Sequence, residues 1–93
     1  MRPTYRRFKE LREKAQDKLK GRGVLEQQLT DAVCEIDMMH ENEVPEYKWG
    51  SVQSIIKSCR THKAEGDEGI FRASINKMTY EQLKSLKRAI ELL

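Results

Sequence analysis

Between Leu25 and Met39 the apolar residues recur with a regular beat. Leu25, Leu29, Ala32, Ile36 and Met39 are separated by four, three, four and three positions, and Val33 widens the stripe. At about 100° per residue these side chains share one face of an α-helix. Glu26, Asp31, Glu35 and Asp37 fall beside or opposite it. The spacing predicts a helix from about Val24 to Glu41 whose apolar face must be covered by another element. Asn42 is placed to cap its end, and Val44-Pro45 prevents continuation, because a residue before proline is driven out of the α region.

Weaker periodicities flank this segment. Tyr5, Phe8, Leu11, Ala15 and Leu19 predict a helix from about Thr4 to Lys20, with Pro3-Thr4 as its start. Gly21-Arg22-Gly23 ends it and leaves three residues before the next helix, a length that suits an antiparallel αα-hairpin. Residues 43–50 read as a connector, with a helical turn from Pro45 as an alternative within it. Trp49 is expected to plug the end of the hairpin; the competing reading makes it an exposed binding anchor. Ser51 is placed as the cap of a third helix reaching His62, with Val52, Ile55, Ile56 and Cys59 inward. Residues 63–69 read as a loop, and 70–75 as a loop or short helix that buries Phe71 and Ile75. The last helix has the best-marked start, a Thr79/Gln82 capping box bracketed by Met78 and Leu83, followed by a stripe of Leu83, Leu86, Ile90 and Leu93. The expected fold is all-α: a compact bundle of about four short helices, the first two forming the hairpin. A long hairpin with a smaller C-terminal helical lobe is the second geometry. The seams extend over only about two heptads, too short for a coiled coil.

At 93 residues the chain is expected to be a single helical domain, 1–42 forming the hairpin and 51–93 the C-terminal part. Such a domain buries only about 60–65% of its unfolded surface, and small helical proteins often enlarge a thin core by pairing as homodimers. No apolar run approaches the ~18 residues of a membrane span, and MRPTYRRFKELREK has no apolar signal core. A cytoplasmic protein with Cys34 and Cys59 reduced is therefore expected.

Charge is segregated. Residues 1–22 carry nine Lys/Arg against three Asp/Glu, a net of +6; residues 23–47 carry seven acidic residues and no Lys or Arg; residues 48–93 return to +4. The basic and acidic segments either pair within the hairpin or serve separate partners.

Little catalytic chemistry is encoded. Cys34, His40, Cys59 and His62 are soft-metal ligand types, but Cys34 and His40 lie about 120° apart around a helix and cannot enter one tetrahedral site. Asp67-Glu68-Gly69 lacks the alternating ligands and closing glutamate of a calcium loop. No metal, no cofactor and no enzymatic activity are expected. The expected function is that of a small non-catalytic regulator, adaptor or inhibitor that binds another protein. The alternative is a regulator that binds DNA or RNA through Arg6, Arg7, Lys9, Lys14, Lys20 and Arg22, with Tyr5 available for stacking. Lys57, Arg60 and Lys63 would join that surface if Gly50-Ser51 were the turn of a helix-turn-helix, although Pro45 and Tyr47 interrupt the expected first helix. Trp49, Lys57 and Arg60 complete the candidate contacts for either kind of partner.

Overall fold

The computed structural model describes residues 5–62 and 69–93. Helix α1 spans Arg6–Lys18, α2 Leu25–Asp37, α3 Glu46–Ser58, α4 Ile70–Asn76 and α5 Tyr80–Glu91, with a 3₁₀ turn at Glu41–Glu43. No strand occurs among the described residues. The fold is the all-α bundle expected, with five helices rather than about four. Its radius of gyration, 13.2 Å, is close to the ~12 Å of a compact chain of this length.

The hairpin is closed by the two apolar stripes. Phe8, Leu11, Ala15 and Leu19 on the first arm and Leu29, Ala32, Val33 and Ile36 on the second are all buried. Gly23, at φ 133°, takes a backbone conformation that L side chains rarely adopt and reverses the chain. The Gln28 side-chain amide donates to the Gly21 carbonyl across the turn. The expected helix start at Pro3-Thr4 lies outside the described residues.

Two stretches differ from the pattern reading. First, α2 stops at Asp37, not Glu41, and Asn42 sits in the 3₁₀ turn rather than at a helix end. Met39 and Val44 are both buried. On one continuous helix they would lie about 140° apart, so breaking the helix lets both reach the core. Second, α3 begins at Glu46 with Pro45 as its N-cap and ends at Ser58 rather than reaching His62. Gly50 and Ser51 lie inside this helix, so Ser51 caps nothing and the proposed helix-turn-helix turn does not exist. The 70–75 segment takes the short-helix alternative, as α4. It buries Ile75 fully and leaves Phe71 packed against the core.

The ends of α4 and α5 are well tied. Ser74, fully buried, accepts a hydrogen bond from the His62 N–H at 3.0 Å and donates to its carbonyl at 3.4 Å. The capping box of α5 forms as read: Gln82 N–H to Thr79 Oγ1 at 3.2 Å, and Thr79 N–H to Gln82 Oε1 at 2.8 Å. The far end of α5 is held by side chains from two other helices. Gln16 donates to the carbonyls of Ile90 and Glu91 (3.2 Å each), Lys48 to that of Leu92 (3.2 Å), and Arg12 to the main-chain oxygen of Leu93 (3.5 Å). Helix-end carbonyls have no intrahelical partner, so these contacts satisfy what the sequence pattern leaves open.

Candidate functional site

The nine candidate residues separate into two groups. Arg6, Arg7, Lys9 and Lys14 lie on α1, and Lys20 and Arg22 follow it in the turn; all six are exposed. They do not form one basic face. At 100° per residue Glu10, Glu13 and Asp17 make a ridge along the solvent side of α1. Arg7, Lys14 and Lys18 lie on one flank of that ridge, and Lys9 lies on the other. Arg6 pairs with Glu10 at 3.4 Å, and Arg7 with Glu43 at 3.8 Å. Among the described residues, Arg7–Glu43 is the one ion pair joining the basic N-terminal segment to the acidic stretch. The hairpin is therefore closed by apolar contact, with its charges largely left to water.

Trp49, Lys57 and Arg60 are brought together. Because α3 starts at Glu46, Trp49, Gln53, Ile56 and Lys57 project along one edge of a single helix, with Arg60 just beyond its end. This edge faces the end of α2 across a groove of about 300 Å³. Ile36, Met39, Val52, Trp49 and Ile56 form the apolar floor and wall, and Asp37, Gln53, Lys57 and Arg60 form the rim. Trp49 and Ile56 are half-buried: each packs on the core with one side and faces the groove with the other. Trp49 thus packs against the core, as a plug at the hairpin's end would, and keeps one side open to the groove.

The Arg60 guanidinium is fixed from two sides. Its Nη2 donates to Asp37 Oδ1 at 3.2 Å, and its carbon lies 5.5 Å from the centroid of the Phe71 ring. A planar cation held by a carboxylate and an aromatic face loses little freedom on binding a further acceptor. Asp37, Phe71 and the groove-facing role of Ile56 were missing from the sequence reading. The available signal was Pro45-Glu46, a proline followed by an acidic residue, where α3 starts three residues before Trp49.

A larger recess of about 670 Å³ lies between α3, α4 and α5, with Ser54, Ser58, Thr61 and Ser85 among its hydroxyls. It holds none of the candidate residues, and its buried hydroxyl, Ser74, is already hydrogen-bonded to His62. Neither thiol is activated. Burial pushes Cys59 up to about 11, and Cys34 is raised by partial burial and by the carboxylates of Asp31, Asp37 and Glu35. Cys34 is exposed and Cys59 buried, and no three His, Cys, Asp or Glu side chains converge on a metal position among the described residues. Lys63 and the Asp67-Glu68 pair lie outside those residues. No helix is long and apolar enough to cross a membrane among the described residues.

Comparison with known proteins gives no match to any protein family, curated protein or solved structure.

Proposed function

We propose that this chain is a small, non-catalytic regulator, adaptor or inhibitor that acts by docking on another protein through the α2–α3 groove. The observation that supports this reading is the pair of half-buried apolar side chains, Trp49 and Ile56, that face the groove, with charged side chains along its rim. An apolar centre with a polar rim is how protein interfaces are built, and a half-exposed Trp is the residue type most often found at their energetic centre.

Affinity purification from the source cells tests the proposal, comparing the wild-type chain with Ile56→Asp, a half-buried groove position. Circular dichroism first establishes that the variant is folded. A protein partner retained by wild type and lost by the folded variant is expected. A partner set that Ile56→Asp leaves unchanged, or no partner at all, refutes it.

The nucleic-acid alternative rests on the exposed cations of α1 and its turn. The acidic ridge of Glu10, Glu13 and Asp17 counts against it, because phosphates approaching either flank meet carboxylates. Fluorescence anisotropy with labelled duplex DNA, single-stranded DNA and RNA at low and near-physiological salt separates the two. Tight binding that collapses with salt favours nucleic acid; no binding even at low salt leaves the protein-docking reading.

A further inference from the structure

We infer that the occupant of the α2–α3 groove is an amphipathic helix of a partner protein carrying an acidic residue one turn from its apolar anchor. This inference rests on the docking reading above and names the chemistry of what docks. The groove runs between two helices, and the described residues contain no strand whose edge a partner could extend, so a helix laid along the furrow is the recognition mode that fits. A cavity of about 300 Å³ receives a few side chains rather than a whole helix, so the contact consists of an apolar anchor seated beside Trp49 and Ile56.

The acidic requirement comes from the rim. Lys57 and Arg60 lie three residues apart at the mouth of the groove. Among the described residues Lys57 has no carboxylate within ion-pair distance. Arg60 spends one terminal nitrogen on Asp37, while Phe71 supports its plane. The Arg60 side chain is 52% exposed, so its guanidinium has donors beyond the Asp37 contact to offer a partner. Arg guanidinium and Lys ammonium together favour a carboxylate, and the preorganised guanidinium lowers the cost of engaging it. On a helix, side chains three or four positions apart sit on one face, so a single partner helix supplies anchor and carboxylate together.

The chain's single tryptophan is Trp49, so its fluorescence reports occupancy of the groove directly. The experiment selects from a displayed library of 16-residue helical peptides, with the anchor position and its i±3 and i±4 neighbours randomised. Selected peptides are then titrated against the full chain. The expected result is an aliphatic or aromatic anchor with Asp or Glu enriched one turn away, and a change in Trp49 emission on binding. Lys57→Glu, an exposed position, then weakens those peptides about tenfold, and replacing the peptide's acidic residue with Lys restores binding to Lys57→Glu. Peptides that shift Trp49 emission with neutral or basic neighbours, and bind Lys57→Glu unchanged, overturn this inference while leaving the docking reading standing. A selection that yields no peptide affecting Trp49 overturns both. A Trp49 shift that follows protein concentration alone, with a dimer in sedimentation, makes a second copy of the chain the occupant and also overturns the inference.

Discussion

Gly50→Ala should stabilise the protein, and the sign of the effect distinguishes two structures for the same stretch. Gly50 is the fifth residue of α3, inside a helix that runs Glu46–Ser58. It is exposed, and a Cβ built on it meets no atom within 4 Å. The substitution therefore adds no clash, and it removes the extra backbone freedom that glycine gives the unfolded chain. Alanine in place of glycine at a compatible helical position is worth about 0.4–1 kcal/mol. In a chain of this size 1 kcal/mol moves the melting temperature by about 4–8 °C, so a rise of about 2–8 °C is expected. The assay is thermal and urea unfolding followed by circular dichroism at 222 nm, with the urea midpoint rising and the slope unchanged. Gly23→Ala serves as the opposite control: at φ 133° the new side chain is strained, and stability should fall. If Gly50→Ala leaves the midpoint unchanged or lowers it, Gly50 is a turn residue, α3 begins later, and Trp49 no longer shares a helix with Ile56 and Lys57.

Ile36→Asp should destabilise the protein severely, since Ile36 is 0% exposed and its replacement loses burial while forcing in a polar group, about 4–8 kcal/mol against a total stability of about 5–14 kcal/mol. Met38→Asp, two residues away and 44% exposed, should cost less than about 1 kcal/mol; a similar loss at both positions would mean that α2 does not present the face described. Thr79→Ala should cost about 1 kcal/mol by removing the cap on Gln82 N–H, and an unchanged denaturation midpoint would place the start of α5 elsewhere. A thiol reagent should label one cysteine, Cys34, in the folded chain and two in urea; rapid native labelling of Cys59 would contradict its burial. Because the folded Cys59 thiol is raised to about 11, the unfolded state loses its proton first as pH rises. Stability should thus be intact below about pH 9 and decline towards pH 11, and Cys59→Ala should remove that part of the decline.

The core was legible wherever burial and helical period coincide. The stripes of α1, α2 and α5, the inward placement of Val52, Ile55 and Cys59, and the Thr79/Gln82 box all follow from spacing alone, because each is a local pattern read against one covered face. The helix boundaries around residues 38–51 were not legible in that way. There the chain leaves α2 so that Met39 and Val44 can both be buried, a tertiary demand that no window of sequence displays. The choice between Pro45 and Ser51 as the start of α3 set two plausible caps against each other, and propensity ranked the serine above the proline. That choice decides the groove: only a start at Pro45-Glu46 aligns Trp49 with Lys57 and Arg60. Net charge had the reverse defect. The +6 of residues 1–22 is correct as a count, but the helical geometry of α1 distributes it about an acidic ridge.

The segregated charge also makes a prediction about salt that separates folding from binding. If attraction between the basic and acidic segments closed the hairpin, screening should unfold it. The three ion pairs among the described residues are all substantially exposed, and one of them, Arg6–Glu10, is local to α1. Exposed pairs contribute about 0–1 kcal/mol each, whereas each large apolar side chain of the seam contributes about 1.5–3 kcal/mol on burial. Leu29, Val33 and Ile36 alone, all 0% exposed, thus outweigh the pairs. Raising sodium chloride from about 0.1 M to 1 M shortens the screening length from about 10 Å to about 3 Å. The one pair that joins the basic and acidic segments, Arg7–Glu43, is worth at most about 1 kcal/mol, so its screening should move the melting temperature by no more than about 8 °C. Peptide binding at Lys57 and Arg60 should weaken over the same range, because the attraction there acts between separate molecules at an exposed rim. A collapse of the melting temperature with salt would show that charge, not the Leu29–Val33–Ile36 seam, holds α1 against α2.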